Sequence, residues 1–207
     1  MKKSLYTAEE RALFERLNSP QKIQDYLNTL EFNFEKKVDT CRSPRMLIRT
    51  GLAHCMEGAL FAAAALEFHG EKPLVLDLRS SAQPLDVDHV ITVFKKFGCF
   101  GAISKTNHAV LRYREPVYKS TRELAMSFFH EYFLSGGEKT MREYSRLLDL
   151  TRFDDIEWRT SEKDLFQIPN FLDNIRHYPI VNAKQIKNLR LADPIEIEAG
   201  KIVQQEP

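Results

Sequence analysis

The sequence predicts an α+β fold in which a central buried helix packs on an antiparallel sheet. Three observations lead to this prediction: helical patterns occupy both ends of the chain, strand patterns follow one another in the middle, and residues 55–69 are mostly small or apolar. Strands grouped apart from helices are typical of an antiparallel sheet. A helix that is apolar on every face is expected inside the core.

The N-terminal segment carries two helix patterns. Thr7 is followed three residues later by Glu10, which is the spacing of a capping box, and the first helical pattern begins there. Ser19-Pro20 interrupts this pattern, and apolar residues then recur at helical spacing in QKIQDYLNTLEF. The segment KKVDTCRSPRMLIRTG predicts a loop followed by a short apolar turn.

The segment GLAHCMEGALFAAAALEFHG, residues 51–70, predicts a helix from about Cys55 to His69 that Gly70 ends. The spacing of apolar residues then changes to that of strands in four segments: KPLVLDLRS, DHVITVF, CFGAIS and HAVLRYRE. A helical pattern returns in STRELAMSFFHEYFL, with Ser120 at the capping position. EKTMREYSRLLDL predicts a shorter helix, and part of SEKDLFQIPNFLDNIRHYP predicts another.

The 207 residues are expected to form a single domain, 1–207, with its core at about residues 45–135. Residues 1–44 would add N-terminal helices, and residues 150–207 would form a C-terminal appendage. Lys and Arg number 30 against 29 Asp and Glu, so no long-range field attracts nucleic acid or an anionic membrane. No stretch reaches the roughly 18 apolar residues of a membrane-spanning helix. Charged residues, rather than the apolar segment of a signal peptide, follow the first lysines, so we expect a cytoplasmic protein.

The three cysteines, Cys41, Cys55 and Cys99, are an odd number without paired spacing. We therefore expect neither a disulfide framework nor a structural zinc site, and the sequence contains no motif for a cofactor or a metal. Cys41, in a loop, is expected to be an exposed thiol, and Cys99 to be buried. His54 adjoins Cys55, but neighbours in a helix point about 100° apart, so we expect no metal shared by the two. His54 is expected to be an ordinary surface or capping residue.

Cys55 is the residue whose position points to chemistry. It lies in the first turn of its helix, where unpaired N–H groups and the helix dipole favour a thiolate. The same N–H groups can stabilise the oxyanion of a tetrahedral intermediate. Such a cysteine also needs a histidine within hydrogen-bond reach, and His89 opens the strand DHVITVF. The simpler alternative is that Cys55 is a core residue, since free cysteine is often buried.

A longer pattern connects these residues and resembles the transglutaminase-like superfamily, whose core is shared with papain-like cysteine proteases. A cysteine opens a helix of small and apolar residues, a turn with glycine and a strand follow, and a histidine leads the next strand. Cys55, Gly70, Val75 and His89 stand in this order. The similarity covers about residues 45–110. It implies a papain-like core with extra helices, a nucleophilic cysteine and a histidine base.

The resemblance also implies an acidic residue after His89 that orients the imidazole. Counted without a gap, this position falls on Ser104, and Phe100 matches the aromatic residue before it. A serine can accept the imidazole N–H but does not offset the charge of an imidazolium. Asn107 is the other candidate, because asparagine fills this role in papain-like proteases. The hairpin register decides between the two, since a slip of one residue exchanges the faces of a strand.

The sequence therefore predicts a cysteine-nucleophile hydrolase, a peptidase or amidase, that acts on a peptide or small amide through an acyl-enzyme. Cys55 attacks the carbonyl, His89 serves as base and then as acid, and Ser104 or Asn107 orients the ring. The alternative is a binding module that has kept the fold and lost catalysis with the acidic residue. The identity of the substrate, the choice of water or an amine as acceptor, and the oligomeric state are left open.

Overall fold

The computed structural model describes residues 3–203 and has a mixed α+β architecture. A short 3-10 helix, Lys3–Leu5, opens the chain, and a second, Leu150–Ile156, lies in its last quarter. The α-helices are α1 (Ala8–Arg16), α2 (Pro20–Thr29), α3 (Pro44–Thr50), α4 (Cys55–Phe68), α5 (Thr121–Phe129), α6 (Gln167–Asn174), α7 (Ala183–Ile186) and α8 (Pro194–Gly200). The strands are β1 (Glu31–Phe32), β2 (Leu52–Ala53), β3 (Leu74–Arg79), β4 (His89–Lys96), β5 (Cys99–Ile103), β6 (Arg114–Tyr118), β7 (Glu143–Ser145), β8 (Leu148–Asp149) and β9 (His177–Pro179).

The capping signals form as the sequence predicts. The Thr7 hydroxyl accepts the N–H of Glu10, and the Glu10 carboxylate accepts the N–H of Thr7, so the capping box of α1 is confirmed. Ser120 caps α5 by accepting the N–H of Glu123. These bonds satisfy N–H groups that the first turn of a helix leaves without a partner.

The main sheet is antiparallel, as predicted, with the strand order β6-β5-β4-β3-β7-β9. The short β8 pairs with β3 beside β7, and β1 and β2 form a separate parallel pair. In the β3–β4 ladder Leu78 lies opposite His89, and Asp77 lies opposite Val90. This register brings His89, the first residue of β4, to the end of the sheet that lies next to the start of α4.

The central helix α4 is buried, as its apolar circumference predicts. Twelve of its 14 residues are buried, and it packs on β4, where the Thr92 hydroxyl donates to the carbonyl of Ala59 over 2.6 Å. Alternate residues of β3 and β4 point to opposite faces of the sheet, and each face packs in a different core. Val75, Val90 and Phe94 join the core around α4, whereas Leu76, Leu78, Ile91 and Val93 join the core beneath α5.

Two predicted elements differ from the structure. EKTMREYSRLLDL forms β7 and β8 instead of a helix, because these residues cover an edge of β3 that would otherwise have unpaired backbone groups. In HAVLRYRE the strand begins only at Arg114, and residues 108–113 form a loop. In β7 and β8 tertiary pairing outweighs the local pattern.

The C-terminal residues are integrated into the fold. β9 pairs with β7 at the edge of the main sheet, and Trp158, Ile168 and Leu172 are buried in the core around α4. The segment that the sequence suggested as an appendage thus supplies part of the sheet and part of the core. Within residues 3–203 no helix has the length and apolar character needed to cross a lipid bilayer.

Candidate active site

Cys55 is the first residue of α4 and lines a cleft of about 710 Å³. Its side chain is partly exposed, whereas Cys41 and Cys99 are buried. The expectation that Cys41 is the exposed thiol is therefore wrong: its N–H donates to Asp164, its carbonyl accepts the N–H of Leu165, and burial raises the pKa of its thiol. Of the three cysteines, Cys55 is the one placed to meet a ligand.

His54 caps α4 directly before the thiol. Its Nδ1 lies 3.2 Å from the N–H of Met56, and its Nε2 lies 2.9 Å from the carbonyl of Thr40. A carbonyl oxygen only accepts, so Nε2 carries a proton. The backbone of His54 is extended, with φ −96° and ψ −172°, which turns the ring back over the first turn of the helix.

A buried carboxylate fixes this helix start. Glu57 accepts the backbone N–H of His54 over 3.1 Å, as in a capping box. It also accepts the Thr40 hydroxyl over 2.8 Å, the N–H of Arg42 over 3.1 Å and the Asn33 amide over 3.2 Å. One carboxylate thus ties the loop over residues 33–42 to the turn that carries the thiol.

Two imidazoles act on the Cys55 thiol. Burial alone would raise its pKa, but hydrogen bonds from His54 and then from His89, together with the charges of both rings, lower the pKa to about 5. Burial likewise opposes the charge on His54, yet the hydrogen bond to Cys55 and the charges of Cys55 and Glu57 raise the pKa of His54 to about 9. A thiolate and an imidazolium therefore stabilise each other at neutral pH.

Nδ1 of His54 accepts the N–H of Met56 when the ring is neutral, and it loses this role when the ring is protonated. Because the pKa of His54 is raised to about 9, a protonated ring at neutral pH gives up this capping bond.

His89 is held by Ser104 in a defined tautomer. Its Nε2 lies 2.7 Å from the Ser104 hydroxyl oxygen, and the same hydroxyl lies 2.7 Å from the carbonyl of Leu111. The hydroxyl has one hydrogen and the Leu111 carbonyl can only accept, so that hydrogen goes to Leu111. Ser104 therefore accepts the Nε2–H of His89. This leaves Nδ1 of His89 as the nitrogen available to the thiol.

The backbone of Ser104 is fixed from α2. Gln24, which is buried, accepts the N–H of Ser104 over 2.9 Å and donates to its carbonyl over 2.8 Å. Leu111, the acceptor of the Ser104 hydroxyl, has a left-handed backbone with φ +60°. That conformation costs a leucine roughly 1–2 kcal/mol. The orientation of His89 thus depends on contacts that are remote in sequence.

Of the two candidate orienting residues, the structure brings Ser104 to His89. Asn107 lines the cleft, but it makes no hydrogen bond to His89 among the residues described. Between Lys3 and Val203, the histidines paired with a carboxylate are His54 and His177 rather than His89. The ring of His89 is therefore oriented by a neutral hydroxyl.

Several residues of the site carried no recognisable sequence signal. His54 was set aside as a capping residue, which it is, but it also contacts the thiol. Gln24 lies 80 residues from Ser104, and nothing in its local pattern marks it. Tyr132 lines the cleft and donates its hydroxyl to the carbonyl of Val87. His108 lines the cleft as well.

Among the described residues, no group of three histidine, cysteine, aspartate or glutamate side chains is arranged to hold a metal ion. Comparison of the chain with models of known protein families gives no match, and comparison with curated proteins gives none either.

Proposed function

We propose that this protein is a cysteine-nucleophile hydrolase that cleaves amide bonds through an acyl-enzyme, on a papain-like, transglutaminase-like core. The observation that carries the proposal is the position of Cys55: a thiol in the first turn of a helix, which lines an open cleft together with His54 and His89. A pKa of about 5 makes the nucleophile predominantly thiolate at neutral pH without any further base.

Acylation begins when the thiolate of Cys55 attacks the amide carbonyl and a carbon–sulfur bond forms. The negative charge moves to the carbonyl oxygen, where the N–H of Cys55 can donate to it, because the first N–H groups of a helix have no intrahelical acceptor. Nδ1 of His89 donates its proton to the leaving nitrogen, the carbon–nitrogen bond breaks, and an amine departs. The acyl group is left on sulfur as a thioester.

Deacylation reverses the role of His89. Nδ1, now without its proton, takes one from water as the water oxygen attacks the thioester carbonyl. The carbon–sulfur bond breaks, the carboxylic acid leaves and gives its remaining proton to solvent, and the thiolate of Cys55 is restored beside a protonated ring. Ser104 keeps the same hydrogen on Nε2 throughout, so that Nδ1 alone exchanges protons with the reacting groups.

His54 also supports the resting thiolate. In many cysteine nucleophiles a carboxylate behind the base stabilises its charged form. Here Ser104 is neutral, and the second imidazole next to the sulfur supplies positive charge in its place. The second ring thus contributes part of the electrostatic stabilisation that a carboxylate would otherwise provide.

A second candidate function is a peptide-binding module without catalysis, and one observation favours it. The hydroxyl of Ser104 cannot balance the charge of the imidazolium on His89, and loss of a carboxylate at this position can cost orders of magnitude in rate. Such a module would bind peptides in the cleft around Cys55 and release them unchanged.

Hydrolysis of a panel of fluorogenic peptide amides tests the proposal. We expect the wild-type protein to release the amine and, after rapid acid quenching, to carry a thioester on Cys55 that mass spectrometry locates. Cys55→Ala should abolish both signals, whereas Cys99→Ala, a matched change at a buried cysteine outside the cleft, should retain them. Peptide binding without turnover in the wild type would support the binding module instead.

A further inference from the structure

The cleft around Cys55 is strongly acidic at one end. Six carboxylate residues line the cleft, against one lysine and no arginine among the lining residues described: Glu35, Asp77, Asp86, Asp88, Glu131 and Asp173. The lysine, Lys105, donates its Nζ to the carbonyl of Leu30. A cleft lined by one sign of charge concentrates ligands of the opposite sign.

Most of these carboxylates have partners within the protein. Glu35 accepts the N–H of Thr40, Asp86 accepts the hydroxyl of Thr140, and Glu131 pairs with Arg114. Asp88 accepts the N–H and the hydroxyl of Ser80 and lies 4.0 Å from Nε of Arg79. Asp77, Asp88 and Asp173 are called the acidic cluster below, because the charge of Asp88 acts on both of the others.

Asp77 has one carboxylate oxygen without a partner. The residue is 1% exposed, and its Oδ2 lies 2.9 Å from Nε2 of His177. Its Oδ1 is buried, and no donor within the described chain reaches it. A buried carboxylate oxygen that lacks a hydrogen bond costs roughly 1–3 kcal/mol or more, so such an atom calls for an explanation. Because Asp77 lines the cleft, a ligand there can supply the missing donor.

The other members of the acidic cluster lie close to Asp77. Burial first, and then the charge of Asp88, raises the pKa of Asp77, and the same two causes in the same order raise the pKa of Asp173. Arg79 and His177 partly offset this charge. Arg79, however, also pairs with Glu143, so its charge is shared with a further carboxylate.

We propose that the acidic cluster binds an organic cation on the substrate, an ammonium or a guanidinium group, with Asp77 Oδ1 accepting one of its hydrogens. This inference rests on the proposed function, because it specifies the substrate class: amides whose acyl part carries a cationic group near the scissile carbonyl. A metal ion is a poorer occupant, since no group of three ligands forms within residues 3–203. An organic cation needs only one or two acceptor oxygens at the correct distance.

Selective modification of Cys55 provides a test that requires no known substrate. Alkyl methanethiosulfonates react when the thiolate attacks their sulfur, which forms a disulfide with the alkylthio group and releases methanesulfinate. We would compare reagents that end in an ammonium or a guanidinium group with neutral reagents of equal length, from aminoethyl to aminohexyl. Mass spectrometry would locate the label on Cys55, and Cys55→Ala would give the background from the buried cysteines.

In the wild type we expect a cationic reagent of one preferred length to react roughly tenfold faster than its neutral partner, the factor of a charge-assisted hydrogen bond. Asp77→Asn should remove most of this ratio, and Asp25→Asn, the same change on the exposed face of α2, should leave it unaltered. If Asp77→Asn fails to fold, Asp173→Asn, at an exposed position, should reduce the ratio several-fold.

An equal ratio in wild type, Asp77→Asn and Asp173→Asn would overturn the inference, and so would a ratio near one in the wild type. Neither result affects the proposed nucleophile, because neutral reagents would still react fast at Cys55. Failure of the proposed function has a different signature, namely that neutral reagents modify Cys55 no faster than an ordinary thiol.

Discussion

The hydroxyl oxygen of Ser104 lies 2.7 Å from Nε2 of His89, and its single hydrogen is committed to the carbonyl of Leu111. This relationship fixes both the rotation of the imidazole and the position of its proton. The ring is thereby presented to Cys55 through Nδ1 without the help of a carboxylate.

Ser104→Ala should lower amide hydrolysis by roughly ten- to hundredfold, a part of the rate that a positioned general base contributes. The cause is the loss of the acceptor for Nε2–H, which leaves the tautomer of His89 unspecified. The effect should appear in kcat more than in KM, measured with a fluorogenic amide. Ser127→Ala, a change outside the cleft, serves as the control. A fall of equal size in both variants would assign the loss to stability instead.

The rate of alkylation of Cys55 by iodoacetamide should rise through about pH 5 and then stay level to neutral pH. The folded pKa of about 5, lowered from 9.0, means that the thiolate is lost only as the pH falls below 5. His54→Ala and His89→Ala should each move the midpoint upward by on the order of one unit or more, because each removes a hydrogen bond and a charge from the thiolate. His130→Ala, at an exposed position, should not move it. Superimposable profiles for the wild type and both cleft variants would refute this assignment.

Glu57→Gln should destabilise the protein by about 2–4 kcal/mol, because an amide nitrogen cannot accept the hydrogen bonds that converge on the buried carboxylate. Urea unfolding followed by circular dichroism measures this change. Glu15→Gln, on the exposed face of α1, should shift the free energy of unfolding by less than about 0.5 kcal/mol. Similar midpoints for the two variants would show that Glu57 does not anchor the helix start.

Gln24→Leu should reduce both stability and activity although Gln24 does not line the cleft. The change leaves the N–H and the carbonyl of Ser104 without partners, at a cost of roughly 2–4 kcal/mol. Misplacement of Ser104 then disturbs His89. Gln21→Leu, on the exposed side of the same helix, is the matched control. Unchanged kcat in a folded Gln24→Leu protein would show that the hydrogen bonds from Gln24 to Ser104 do not contribute to catalysis.

The sequence alone predicts those helices and strands whose ends are marked by local residue patterns. The apolar circumference of α4 and the glycine after it predict a buried helix whose first residue is Cys55. The change to strand spacing places His89 at the start of β4. The choice between Ser104 and Asn107 needed the β4–β5 register, which the turn between the strands does not encode.

His54 illustrates a different limit of sequence reasoning. The separation of about 100° between neighbouring residues holds only when both are helical. His54 is the N-cap, with an extended backbone, so its ring reaches the sulfur of the residue that follows it. β7 and β8 form because they pair with an edge of β3 that would otherwise be exposed, although their own sequence predicts a helix.

The ultraviolet absorbance of thiolate, titrated with pH as the difference between wild type and Cys55→Ala, measures whether Cys55 is an activated nucleophile. We expect a single transition near pH 5, with thiolate already formed at neutral pH. A transition above pH 8, the range of an ordinary cysteine, would contradict it.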